Sequence, residues 1–169
     1  MDSGADKTGY NNVGIGPSIM RNMTSGHSNT GVGESALKVN TEGFKNISVG
    51  NNTLQTNTTG DYNVAVGHSA LDADTLGSRS VAVGTHALTS QNFTSATSTY
   101  NVAVGFQAGA AVTTGTNNTL IGGLAGDALT TGGSNTSVGY FSLSGLTTGS
   151  YNVAVGMQAL KNLTTASDS

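Results

Sequence analysis

The chain has 169 residues, of which 9% are charged, 25 are glycine, one is proline and none is cysteine or tryptophan, with a net charge of −3. That balance excludes disulfide staples and thiolate metal sites, and it offers neither a basic face for nucleic acid nor a polybasic strip for membranes. Leu, Ile, Val and Phe together number only 34, so folding requires strict placement of the apolar residues or a core shared between chains.

Residues 1–11 read as an N-terminal partial repeat or cap, because Lys7-Thr8-Gly9-Tyr10-Asn11 matches the tail of the unit that follows. No apolar run follows Met1 and no stretch approaches a membrane span, so neither a signal peptide nor membrane insertion is expected. The chain is expected to be assembled in the cytoplasm, as virion proteins are, or to be a fragment.

Residues 12–169 read as nine repeats, starting at Asn12, Asn29, Asn46, Asn63, Ser80, Asn101, Asn118, Asn135 and Asn152. Every step is 17 residues except that from Ser80 to Asn101, which is 21 and places a four-residue insertion between 89 and 100. Position 4 of the unit is Ile15, Val32, Val49, Val66, Val83, Val104, Ile121, Val138 and Val155, always β-branched. Position 2 is Val, Ile or Thr, and position 3 is small except at Leu120. Branched residues alternating with small ones predict a strand with two unlike packed faces. The reading puts positions 2 and 4 in the core and position 3 against a close neighbour, so Val104→Asp is expected to be severely destabilising.

Position 5 is glycine in every unit: Gly16, Gly33, Gly50, Gly67, Gly84, Gly105, Gly122, Gly139 and Gly156. An unbroken glycine column predicts a coil corner with positive φ or close backbone approach. A second apolar stretch follows at positions 8 and 9, as in Ala70-Leu71. In units six and seven Gly109 and Gly126 replace the leucine, and Val112 and Leu129 appear three positions later. One core slot is thus filled by two routes. Seventeen residues hold two short strands and two turns, one coil of a parallel β-solenoid, and nine coils at ~4.8 Å make a rod of roughly 43 Å. Asn12, Asn29, Asn46, Asn63, Asn101, Asn118, Asn135 and Asn152 are expected to form an amide ladder along it.

Little in the chain carries chemistry. His68 and His86 fall on adjacent coils and His27 on another, all read as turn residues, and Asp61, Asp72 and Asp74 lack a calcium-binding pattern. No serine lies in a nucleophile elbow, and Gly122-Gly123 lacks the ending of a phosphate loop. No catalytic residue, metal ligand or cofactor is expected, and the chain is read as a non-enzyme. The sequons at Asn46, Asn57, Asn135 and Asn162 follow from composition. Phe93 in the insertion is a candidate receptor contact, and Tyr62, Tyr100 and Tyr151, each before the Asn position, could stack on sugars or cover a strand edge.

The units N-V-A-V-G-H-S-A-L (63–71), S-V-A-V-G-T-H-A-L (80–88) and N-V-A-V-G-M-Q-A-L (152–160) resemble two repeat families. One is the head repeat of trimeric autotransporter adhesins. The closer is the N-T-A-V-G-x-x-A-L array of tailed-phage fibres, whose linker is nearly complete at Leu54–Asn63. The resemblance covers nearly the whole chain and implies a left-handed β-roll wound as a homotrimer, with the small third position where chains meet. It implies a structural or adhesive fibre segment, located in a virion or at a cell surface. The expected partners are further copies of itself and a host-surface glycan or protein. This unit is longer than an adhesin-head coil, which predicts a longer turn. The alternative is a monomeric solenoid binding ice or glycan through threonine pairs such as Thr58-Thr59, Thr130-Thr131 and Thr147-Thr148.

Overall fold

The computed structural model describes residues 8–166 and 168. Among these there is no helix, and the chain forms a parallel β-solenoid. Nine three-residue strands stack into one parallel sheet: β1 (Val13–Ile15), β2 (Thr30–Val32), β3 (Ile47–Val49), β4 (Val64–Val66), β6 (Val81–Val83), β8 (Val102–Val104), β9 (Thr119–Ile121), β10 (Thr136–Val138) and β11 (Val153–Val155). Pairing joins like positions of successive units, as in Val64↔Val81 and Val102↔Thr119. β5 (Gly77–Ser78) and β7 (Thr97–Ser98) make a separate two-stranded pair beside the insertion. Residues 8–11 continue the stack at the N-terminal end, Thr8 and Gly9 donating to the Thr24 carbonyl at 2.9 and 3.1 Å.

Apart from the two coils that carry β5 and β7, each coil holds one regular strand where two were expected. The second apolar stretch is a turn, because positions 7 and 9 take left-handed backbone. Examples are Ser69 (φ 53°) with Leu71 (φ 51°), and His86 (φ 59°) with Leu88 (φ 49°). Such a conformation costs an L-residue about 1–2 kcal/mol. Stacking offsets it, for Leu54 N–H donates to Ala70 O and Leu71 N–H to Ala87 O, each at 3.1 Å. At the corner, Gly105 has φ +140°, and an added Cβ would lie 2.5 Å from the Gly122 carbonyl oxygen. The glycine column is therefore fixed both by conformation and by the closeness of the next coil.

The lumen reverses the expected assignment of strand faces. Position 3 points inward, with Ala65, Ala82, Ala103 and Leu120 fully buried. Ser48 and Ser137 also lie inside, their hydroxyls donating to the carbonyls of Thr53 and Ser142 at 2.9 Å. The β-branched column assigned to the core (Ile15, Val32, Val49, Val66, Val83, Val104, Ile121, Val138, Val155) faces outward instead. Ile15 is 63% and Val155 70% exposed, Ile121 is exposed too, and the other members of the column are half-buried by their neighbours in the sheet. The reason is width. A coil closed by a three-residue strand has room opposite its leucine for a methyl group, not for two isopropyl groups. Position 3 is small because the lumen is narrow.

The core is therefore Ala and Leu, with Leu37, Leu54, Leu71 and Leu88 in one buried column. Gly109 and Gly126 interrupt that column, and Val112 and Leu129 fill in as expected. Leu120 is the third part of this exchange. A Cβ at Gly109 would lie 2.7 Å from Leu120 Cδ1, and one at Gly126 would lie 2.8 Å from its Cδ2. The single large residue at position 3 occupies the space those glycines leave.

The asparagine ladder is present and buried. From Asn12 to Asn135, each Oδ1 accepts the backbone N–H of the residue 17 positions on, at 2.9–3.0 Å. Each Nδ2 donates across the coil to the carbonyl 14 positions on, at 2.7–3.0 Å. Ser80 breaks the column, and Gln91 bridges the gap. Its Nε2 donates to Ser80 Oγ and its Oε1 accepts from Asn101 Nδ2, both at 2.8 Å.

Candidate functional site

The outward sheet face is the feature with most to offer a partner. Positions 2 and 4 give it two columns of β-branched residues. Position 17 of the preceding unit flanks it on one side and position 6 on the other. The exposed large hydrophobics of the described residues are Tyr10, Val13, Ile15, Ile47, Tyr62, Tyr100, Phe106, Ile121, Tyr140, Tyr151, Val153, Val155, Met157 and Leu160. All but Tyr10 and Leu160 belong to these four columns. Apolar side chains gathered on one face in this way are what a partner could cover. Between residues 80 and 160 charge does not guard it, since the only Asp, Glu, Lys or Arg there is Asp127, whereas Glu34, Lys45 and Arg79 stand on its flanks in the first half.

The tyrosines Tyr62, Tyr100 and Tyr151 lie on this face's leading flank, each in left-handed backbone at φ 58°, 51° and 63°. Phe93 does not serve as an exposed contact. It is 6% exposed, folded over the coil, with its carbonyl accepting from Thr75 Oγ1 at 3.0 Å. The extra residues leave Thr94, Ser95 and Ala96 as an exposed tip, with Asn92 and Ser98 exposed beside it, because an aromatic side chain gains more from capping the Thr75 turn than from solvent.

The threonines of position 13 turn their hydroxyls along the stack. Thr24, Thr41, Thr58, Thr113, Thr130 and Thr147 each donate from Oγ1 to the corresponding carbonyl one coil on, at 2.9–3.2 Å. Only the second threonine of each pair remains outward, as Thr59, Thr114, Thr131 and Thr148 do. His68 and His86 meet edge to face at 5.2 Å. Burial raises the nearby Asp72 carboxyl above its ordinary range, and the two histidines oppose that rise. No group of three metal-ligating side chains occurs among the described residues.

One edge feature was not anticipated. Tyr10, His27 and Phe44 stack in parallel at 4.7 and 4.9 Å, and Tyr62 closes the column edge-on at 5.3 Å. Lys45 Nζ lies 5.0 Å from the Tyr62 ring centre and donates to its hydroxyl at 3.2 Å. Ring faces are thus spent on one another, and the column works as an internal brace along one corner. The 17-residue spacing of Tyr10, His27 and Phe44 was the available signal.

A second polar column runs through the lumen at position 12: Asn40, Asn57, Asp74 and Gln91, all fully buried. Asn57 Nδ2 donates to Asn40 Oδ1 at 2.8 Å, and Gln91 Nε2 donates to Asp74 Oδ2 at 2.5 Å. Between them Asn57 Oδ1 has no partner. Burial pushes the Asp74 carboxyl up, more than the bonds from Gln91 and the Gly77 and Phe93 N–H groups pull it down. A raised folded-state value means that Asp74 favours folding while protonated and loses that contribution as pH rises through the raised value. Asp74→Asn keeps an acceptor for Gln91 and offers Nδ2 to Asn57, as Asn57 does to Asn40. The expected outcome is a higher urea midpoint than the parent at pH 8 and an equal one at pH 3. A midpoint lowered at pH 8 would show that the ionised carboxylate is needed.

Comparison with family models, curated proteins and solved structures gave no match to any of them.

Proposed function

We propose that the chain is a structural and adhesive segment of a fibre, such as a phage tail fibre or a surface adhesin, in which three copies pack their outward sheet faces around a common axis. The observation that carries this reading is the uncharged face of β-branched side chains running the length of the rod. Nine strands at ~4.8 Å and a width of about five residues give an apolar face of roughly 700 Å² per copy, shared between its two neighbours. Packing that face would bury the aliphatic columns between chains and leave the lumen of each chain as it is. The shared core is then made by positions 2 and 4, not by the small third position. A rigid rod with no catalytic constellation suits a shaft or attachment segment, outside the cell or on a virion, and a host-surface glycan or protein would be its further partner.

Ice or glycan binding by single chains through the threonine face has less support, since the first hydroxyl of each pair is committed to the stack. The test is mass in solution by light scattering. The expected value is about three times the 16.8 kDa of one chain. A stable single-chain species would overturn the assembly.

A further inference from the structure

Position 12 of the coil divides the lumen in two. In coils two to five it is Asn40, Asn57, Asp74 and Gln91, and in coils six to nine it is Val112, Leu129, Leu146 and Leu163. The rear four add their side chains to the apolar core. The front four are fully buried and hold one another by hydrogen bonds, Asn57 to Asn40 and Gln91 to Asp74. A buried column of this kind needs a donor for every acceptor. Among these four residues it fails at one level: Asn57 Oδ1 has no donor, and the next member is a carboxyl where asparagine would supply Nδ2. We propose that Asp74 acts as a proton-operated catch inside the rod. Protonated, it donates to Asn57 Oδ1 and closes the column between coils three and four. Ionised, it leaves two acceptors at adjoining levels with no proton between them, and the turn there opens while the rear coils stay shut.

The surroundings of Asp74 suit a neutral acid. Its carboxyl meets Gln91 Nε2 and the N–H groups of Leu76, Gly77 and Phe93, all uncharged. Arg79 and His27 act on Asp61, and His68 and His86 on Asp72, but none of these cations acts on Asp74. Nothing of opposite charge therefore offsets the cost of ionising it in the lumen. The four donors still hold the carboxylate once it forms, so ionisation opens the turn rather than unfolding the coil. Because burial raises the folded-state value, the closed form belongs to low pH and the open form to high pH. Only the lumen of one chain is involved, so the catch does not depend on the assembly proposed above.

Two measurements on the full chain test the catch. In infrared difference spectra of the parent against Asp74→Asn, a carboxylic-acid carbonyl band is expected to persist where ordinary carboxyls are ionised, and to vanish as pH rises further. Amide exchange at position 13 reads the opening. The Thr58 N–H donates to the Thr75 carbonyl at 2.9 Å, and its rear-half counterpart Thr130 N–H to the Thr147 carbonyl at 2.7 Å. At pH 8 the Thr58 amide is expected to exchange at least ~10-fold faster in the parent than in Asp74→Asn, the factor that one pH unit of linkage carries. The Thr130 amide is expected to exchange equally in both. An absent band means that Asp74 is ionised throughout, and it overturns the proposal. A band whose loss leaves Thr58 unchanged, or frees Thr58 and Thr130 alike, overturns it as well.

Discussion

A carboxylate at position 103 is expected to unfold this chain, whereas the same carboxylate at position 104 is expected to leave it folded and, if the proposed assembly holds, to disperse it into single chains. Ala103 is fully buried in the lumen, and Val104 is the next residue of β8, pointing out of the sheet. An ionised side chain forced into the lumen carries an effective penalty of several kcal/mol. Total stabilities are only about 5–15 kcal/mol, so Ala103→Asp is expected to lose the cooperative transition in circular dichroism. Val104→Asp keeps its far-ultraviolet spectrum and moves to one-third of the parent mass in light scattering. Equal loss of folding in both variants would mean that the chain has no independent fold and exists only assembled. An unchanged mass for Val104→Asp would remove the sheet face from the interface.

Truncating a central asparagine of the ladder has the next largest effect. Asn118 Oδ1 accepts the N–H of Asn135 at 3.0 Å, and its Nδ2 donates to the Gly132 carbonyl at 3.0 Å and to Asn101 Oδ1 at 3.3 Å. Asn118→Ala leaves the Asn135 N–H and the Gly132 carbonyl without those partners inside the lumen, at about 1–3 kcal/mol for each buried group. The expected loss is about 2–5 kcal/mol in urea unfolding. Thr114→Ala, at an exposed position one coil edge away, should stay within about 0.5 kcal/mol of the parent. A loss at Asn118 no larger than that would mean water replaces the amide.

The period, the corner glycines and the asparagine ladder were all legible in the sequence. Each is a column of one residue type, and a column needs only counting. The sidedness of the strand was not legible from the same column. Alternation of valine and alanine is equally consistent with valine inside or outside, and hydrophobicity alone favours the wrong choice. What settles it is the size of the lumen, a property of coil closure that no single unit reveals. Leu120 was the available clue, since the one large residue at position 3 coincides with the two glycines at position 9. That coincidence makes sense only if both positions share one interior. Phe93 failed for a related reason: an inserted aromatic is read as exposed because it breaks the pattern, yet it gains by covering the turn it interrupts.

Because the ladder's Oδ1 bonds run to the residue 17 positions on and its Nδ2 bonds to the carbonyl 14 positions on, the length of this rod is quantised. Removing or duplicating one whole unit rejoins every ladder and changes the rod by a single step of ~4.8 Å, whereas adding one residue throws every later coil out of phase. Not all units are interchangeable modules, however. Gly109, Leu120 and Gly126 fit together across coils six and seven, so those two can be copied or deleted only as a pair. A tether built this way can adjust its reach coil by coil except at that pair and at the 21-residue coil, whose Gln91 bridges Ser80 and Asn101.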